Sequence, residues 1–154
     1  MIVLLAAACG GSPAAPSPRD LAFSVVAQGQ IAADTGTLDG APKLVVAADA
    51  SGRARLERLI QKTVANDDEI ILVGVFQGVQ RTGGYDVRVE RVRQTGAAVD
   101  VIAAFTRPAS GAIVTQVITS PFVVIDIRRV ELPSGRVRFV LRDPSGAELA
   151  HDEF

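Results

Sequence analysis

The chain has few side chains of the kinds that perform catalysis, and their spacing does not assemble a reactive group. Its single histidine, His151, lies in the sequence Ala-His-Asp-Glu close to the last residue. We expect this segment to be frayed and exposed, so the imidazole could not be held within hydrogen-bonding reach of a nucleophile. No Gly-x-Ser-x-Gly turn occurs, and the Pro-Ser-Gly sequences at 133–135 and 144–146 are typical of turns. The sequence therefore predicts a protein that is not an enzyme.

Three consecutive acidic residues, Asp67, Asp68 and Glu69, could supply carboxylate oxygens to a cation. Calcium takes about six to eight oxygen ligands, and the sequence shows no further ligands at a suitable spacing. The alternative is that these acids are solvated at the edge of a strand, and we prefer it. No glycine-rich loop precedes a helix, and six Phe, one Tyr and no Trp offer no stacking platform for nucleic acid. We expect no metal, no cofactor and no nucleic-acid partner.

Length and composition indicate one ordinary globular domain. The chain has 154 residues, of which 48% are hydrophobic and 21% charged. A domain of this size buries about two thirds of the surface that its unfolded chain exposes, so it needs no metal or disulfide to fold. The net charge of −1 gives no indication of a polyanionic partner.

The first residues resemble the end of a bacterial lipoprotein signal. Residues 1–8 form an apolar run that ends in small residues, and Cys9 follows, with Gly10 after it. In such signals the cysteine is lipidated and becomes the new N-terminus. No basic residue precedes the run, and Ala6 stands where Leu is usual. The alternative is a short buried apolar segment with a free thiol, but we expect a lipid anchor at Cys9 and a location in the bacterial cell envelope.

A tether separates this cysteine from the folded domain. Residues 9–19 contain the Pro-, Ser- and Gly-rich sequence GGSPAAPSP, which has no side chain able to form a core. We therefore divide the chain into a signal-peptide remnant (1–8), a lipidated cysteine with its flexible tether (9–19) and a β domain (20–154).

One amphipathic helix is expected after Ala50-Ser51-Gly52. Leu56, Leu59 and Ile60 recur at the three- and four-residue spacing that places apolar side chains on one helix face. Ser51 is the expected N-cap, because its hydroxyl can accept a hydrogen bond from the first turn. The arginine-rich opposite face is interpreted as a solvated surface.

Short β-type segments make up most of the remaining domain. Continuous apolar residues at 70–76 predict a strand buried on both faces, and alternation in the following segments predicts strands with one wet face. The complete set of expected strands is 21–27, 43–47, 70–76, 85–90, 99–105, 112–118, 122–127, and a closing hairpin formed by 136–142 and 147–149. The predicted fold is mainly β (α+β), a small antiparallel sandwich or barrel of about eight strands with one helix.

The loops between these strands are the candidate functional site. Between two β-type runs, Thr82, Gly83, Gly84 and Tyr85 predict a tight hairpin reversal, since glycine enters positive-φ conformations without steric cost. This turn could be structural, with Tyr85 covering the end of the core, or it could be an exposed recognition loop that another backbone approaches. Proline would stiffen two further loops that could lie at the same end of the sheet, Arg107-Pro108 and Ser120-Pro121.

The order of motifs from Asp67 to Ile127 resembles the C-terminal domain of the PrcB family. The resemblance rests on the acidic residues, the apolar strand, the Gly-Gly-Tyr turn, the strand ending near Arg107-Pro108 and the Thr-Ser-Pro-Phe sequence at 119–122. It implies a secreted or lipid-anchored protein that binds an envelope partner, in the founding case a surface protease complex. The chain departs from the family in having no tryptophan on its helix, where Leu56 and Leu59 take the apolar positions.

A weaker resemblance connects the same loops with chagasin-type protease inhibitors. These immunoglobulin-like domains carry a Thr-Thr-Gly-Tyr-like turn and an Arg-Pro-aromatic loop, with which they plug cysteine-protease clefts. Ala109 stands here where the aromatic residue would be, so a main anchor of such a loop is missing. Protease inhibition is the alternative function.

Overall fold

The fold is a two-sheet sandwich, seen in a computed structural model that describes residues 16–32 and 39–154. The prediction of a mainly β fold with one helix is confirmed. The helix α1 spans Ala50–Ile60, and a short 3-10 turn spans Arg129–Glu131. The strands are β1 (Arg19–Asp20), β2 (Ser24–Ala32), β3 (Lys43–Ala47), β4 (Ile70–Phe76), β5 (Asp86–Thr95), β6 (Ala98–Thr106), β7 (Thr119–Arg128), β8 (Arg138–Arg142) and β9 (Glu148–Glu153).

The strands form one sheet of five and one of four. The five-stranded sheet has the order β1-β5-β6-β8-β9, and the four-stranded sheet has the order β2-β7-β4-β3. All neighbouring strands are antiparallel except β6 and β8, which run parallel. The architecture is therefore an open sandwich, and of the two predicted alternatives the barrel is wrong.

The main core lies between the two sheets. In β5 and β6, Val87, Val89, Val99 and Val101 point into this core, as their alternating pattern predicts. The opposite face of the five-stranded sheet is wet and carries ion pairs such as Arg142–Asp100, 2.7 Å apart. This sheet thus has one buried and one charged face.

The four-stranded sheet is buried on both faces because α1 covers the one that faces away from the five-stranded sheet. Val73 and Val75 of β4 enter the main core, whereas Leu72 and Phe76 pack with Leu56 beneath the helix. This explains why the sequence of β4 is almost continuously apolar. A Cβ atom on Gly74 would lie 2.6 Å from Cδ1 of Leu56, so glycine permits this close approach.

The N-cap of the helix is Asp49, and the prediction of Ser51 is wrong. The Asp49 carboxylate accepts the backbone N–H of Gly52 at 2.7 Å and the Ser51 hydroxyl at 2.9 Å. Both hydrogen bonds lower the pKa of the Asp49 carboxyl group, and the bond from Gly52 has the larger effect. A carboxylate is at least as good a cap as a hydroxyl, and Ser51 lies two residues beyond the capping position, inside the first turn of the helix.

The predicted strand over 112–118 is wrong, since these residues have no regular secondary structure. Instead β7 begins at Thr119 and runs through Pro121. The carbonyl of Pro121 accepts the N–H of Gln77 at 3.0 Å. In an antiparallel strand the N–H and C=O of one residue point to the same side, so the N–H that proline lacks would also point toward β4. That ladder ends at the Phe76–Phe122 pair, and the missing N–H therefore interrupts no strand pairing.

Smaller differences concern the ends of the domain. The expected first strand begins at Ser24 rather than Leu21, and the closing hairpin forms as predicted from β8 and β9. His151 lies within β9 and is not frayed; its Nδ1 is 3.2 Å from a carboxylate oxygen of Glu148. In the described part of the chain, no helix has the length and apolar character needed to cross a bilayer.

Candidate protein-binding surface

The Gly83-Gly84 sequence lies in a crossover between the two sheets, so the predicted hairpin between its flanking strands is wrong. The preceding strand, β4, belongs to the four-stranded sheet, and the following strand, β5, belongs to the five-stranded sheet. Residues 77–85 connect them at one end of the sandwich. The local sequence predicted a reversal, but only the sheet topology determines whether the strands on either side pair.

A second inter-sheet loop, residues 107–118, connects β6 with β7 and packs against the first. The N–H of Gly83 donates to the carbonyl of Thr115 at 2.9 Å. A Cβ atom on Gly83 would lie 2.4 Å from Oγ1 of Thr115, and one on Gly84 would lie 3.1 Å from Cβ of Pro108. Gly84 has φ +86°, a left-handed conformation that favours glycine. The space beside these two glycines is thus filled by side chains of the protein's own second loop.

One close backbone approach and several hydrogen bonds hold the crossover in place. Gly78 has φ +84°, and a Cβ atom there would lie 2.5 Å from the carbonyl oxygen of Ala41. Gln80 and Thr119 exchange two backbone hydrogen bonds, of 2.7 and 3.0 Å. The buried side chain of Gln77 donates to the carbonyl of Thr106 at 3.1 Å. Residues 77–85 and 107–118, which we call the loop surface, therefore form one connected structure.

Most of the predicted site residues meet in this surface. Thr82 and Tyr85 are half-buried and Gly84 is exposed, while exposed Arg107 and half-buried Pro108 lie beside them. Ser120 and Pro121 are buried within β7, so the expectation that they form a loop is wrong. Cys9 and the start of the tether lie outside the described residues.

A cleft of about 640 Å³ opens next to the loop surface. Its walls combine apolar and polar side chains, with Tyr85 and Arg107 on the side of the loop surface and Asp143 on the β8–β9 turn. The Ser145 hydroxyl and, to a smaller extent, backbone N–H groups of the same turn lower the pKa of Asp143. This carboxylate is therefore anionic at neutral pH and already bound to its own turn. The size of the cleft is within the range of ligand sites, about 300–1,000 Å³.

The structure also shows exposed aliphatic residues that the sequence did not mark as functional. Ile113 is fully exposed (103%), and Val117 and Ile118 expose 51% and 57% of their surfaces. All three fall in the segment that was predicted to be a strand. No local signal distinguishes a β-prone run that packs from one that remains exposed, because the difference lies in the surrounding fold.

The acidic residues 67–69 have structural roles. The carboxylate of Asp68 pairs with the buried guanidinium of Arg53 at 2.7 Å, and the carbonyl of Asp67 accepts a second bond from it at 2.6 Å. The carboxylate of Asp67 accepts the N–H of Glu69. Within 16–32 and 39–154, no three His, Cys, Asp or Glu side chains are arranged to hold a metal.

These features define a class of small β sandwich in which two inter-sheet loops are joined at one end. Residues 71–128, which extend from β4 to the end of β7 and include the whole loop surface, match the family described as PrcB C-terminal. The PrcB-type domain predicted from the sequence is thereby confirmed over this segment. No curated protein and no solved structure matches the chain significantly.

Proposed function

We propose that the protein is a non-enzymatic, lipid-anchored domain of the bacterial cell envelope that binds a protein partner through the loop surface. By resemblance to the founding case of the family, the partner would belong to a surface protease complex. The match over 71–128 supports the type of domain, and the Cys9 motif supports the location.

The observation on which the binding role rests is the exposure of Ile113, Val117 and Ile118 on a loop that the rest of the surface holds in place. Exposed aliphatic groups cost free energy in water and gain it when a partner covers them. Loops positioned by a rigid scaffold are also where proteins most often place binding residues.

The anchor is tested by comparing the wild-type chain with Cys9→Ser in the producing cell. We expect the wild-type chain in the membrane fraction and the variant in the soluble fraction, because a thiol is needed for lipid attachment. The same distribution for both proteins would rule the anchor out.

The binding role is tested by crosslinking the full chain in native membranes and recovering the attached protein. Ile113→Ser and Tyr85→Ala should abolish recovery while the melting temperature stays close to that of the wild type. Val130→Ser is the matched control, because Val130 is 83% exposed but lies in the 3-10 turn, far from the loop surface in the fold. Equal recovery with Ile113→Ser would contradict the proposal, and a large loss of stability in Tyr85→Ala would assign that residue a structural role.

Chagasin-like inhibition is the second candidate, and the packing of Gly84 against Pro108 favours it, because it brings the Thr82–Tyr85 segment and Arg107-Pro108 together. The aromatic anchor is absent, and Ala109 is exposed in its place. An assay of the purified domain against a papain-like protease decides between the two functions. Absence of inhibition at micromolar concentration would exclude this candidate.

A further inference from the structure

The basic residues indicate the chemistry of the partner, because nearly all of them already interact with other groups of the same chain. The chain has 16 Lys and Arg, and all of them lie within the described residues. Twelve of the arginines form ion pairs or hydrogen bonds, Lys62 lies over the ring of Phe122, and Lys43 has an interaction as well. Arg81 and Arg107 are the two basic residues that form no ion pair, hydrogen bond or contact with an aromatic ring within residues 16–32 and 39–154.

Both unpaired arginines are exposed and belong to the loop surface, one in each loop. Residues 77–85 and 107–118 contain no Asp or Glu, so the loop surface has a formal charge of +2 in a chain whose net charge is −1. Elsewhere the surface combines arginines with acids, as on the outer face of the five-stranded sheet. Because these two guanidinium groups have no counter-ion on the loop surface, we expect the surface of the partner that covers them to be acidic.

The backbone of the same surface is also open. Residues 113–118 donate no backbone N–H to any other described residue, and their side chains are β-branched apart from Gln116. A β-prone segment with free backbone donors can take an additional strand from a partner, with side-chain contacts supplying the specificity.

From these observations we infer that the loop surface recognises an extended peptide segment in which acidic and aliphatic residues alternate. The acidic side chains pair with Arg81 and Arg107, and the aliphatic ones cover Ile113, Val117 and Ile118. This inference rests on the proposed binding function and specifies the chemistry of the partner.

The test is an NMR titration of the ¹⁵N-labelled full chain with a capped peptide of alternating Glu and Val residues. A peptide of alternating Gln and Val is the neutral counterpart. We expect the acidic peptide to shift resonances of residues 81–85 and 107–118, and to bind several times more tightly than the neutral one. Binding should weaken as salt is added, because screening shortens the range of exposed charges from about 30 Å at 0.01 M to about 3 Å at 1 M.

Charge variants locate the effect. Arg81→Gln and Arg107→Gln should each weaken binding of the acidic peptide about two- to fivefold, the usual range for an exposed pair. Arg136→Gln removes the same charge from the loop that precedes β8, where Arg136 pairs with Glu153, and serves as the control. Equal binding of both peptides, equal effects of all three variants, shifts confined to other residues, or no binding at millimolar concentration would each overturn the inference.

The two proposals fail in distinguishable ways. If Ile113→Ser prevents recovery of the native partner but Arg81→Gln/Arg107→Gln does not, the binding function stands and the acidic chemistry is wrong. If neither variant affects recovery, the loop surface is not the binding site and both proposals are wrong.

Discussion

The helix-covered face of the four-stranded sheet and the loop surface use glycine in the same way but leave very different surfaces. Gly74 allows Leu56 to reach the sheet, and Gly83 allows Thr115 to reach the crossover. Beneath the helix the apolar side chains are buried, and the buried guanidinium of Arg53 is paired with Asp68. On the loop surface, aliphatic side chains and two guanidinium groups remain in water.

The difference shows that close packing alone does not identify a binding surface. Both regions are well packed internally, so neither the glycines nor their tight contacts distinguish them. What distinguishes the loop surface is a set of exposed groups for which residues 16–32 and 39–154 supply no partner: Ile113, Val117, Ile118, Arg81 and Arg107. A partner that supplies these contacts would bring the loop surface closer to the condition of the helix-covered face.

The largest effect is expected on the helix-covered face. Leu56→Ala should lower the free energy of unfolding by about 2–5 kcal/mol, because it removes a fully buried side chain and leaves a cavity under α1. Urea denaturation measures the loss, and Arg58→Ala, on the exposed side of the helix, should change the free energy by less than about 0.5 kcal/mol. Similar values for the two variants would show that the helix does not contribute a core.

A smaller effect is expected where the loop surface is joined to the sandwich. Gly78→Ala should cost about 1–3 kcal/mol, because the new methyl group meets the carbonyl of Ala41 and the positive φ is unfavourable for alanine. Gly111→Ala is the matched control: its φ is also positive, at +79°, but no atom lies within 4 Å of the new Cβ. If both variants lose the same stability, the contact with Ala41 is not responsible.

The smallest effect concerns the helix cap and its dependence on pH. The pKa of Asp49 is lower in the folded chain than its ordinary value of 3.8. The stability that the ionised Asp49 carboxylate adds to the folded chain is therefore fully present above about pH 4, and it is lost as the pH falls through the lowered pKa. Asp49→Ala should lower the melting temperature at neutral pH more than Ser51→Ala does, and this difference should shrink in acid. A larger effect of Ser51→Ala would restore Ser51 as the cap.

The sequence predicted the elements whose pattern is local. The alternation of Val87 and Val89, the continuous apolar run of β4 and the spacing of Leu56 and Leu59 each follow from one face or both faces being buried. The mainly β sandwich was predicted from these patterns, and the family resemblance was predicted from the order of motifs between Asp67 and Ile127; both are confirmed.

The sequence could not predict the parts that depend on contacts between distant residues. The role of Gly83 depends on Thr115, which lies in the other inter-sheet loop, and a double glycine in a hairpin looks the same in the sequence. Pro121 was expected in a stiff loop, yet it lies within β7, which accommodates it because β4 ends first. Likewise, the lack of ion-pair partners for Arg81 and Arg107 within the described residues depends on where the fold places the acidic side chains, which the sequence does not show.

The parallel pairing of β6 with β8 has a consequence for the size of the folding unit. Residues 71–128 end before β8, whose Phe139 and Leu141 fill the core between the sheets and whose backbone completes the ladder along β6. A fragment cut at the limits of the family match would open that ladder and also lose β3 and α1. Expressed alone, it should aggregate or be degraded by proteases, so the shortest autonomous unit is considerably longer than the segment by which the family is recognised.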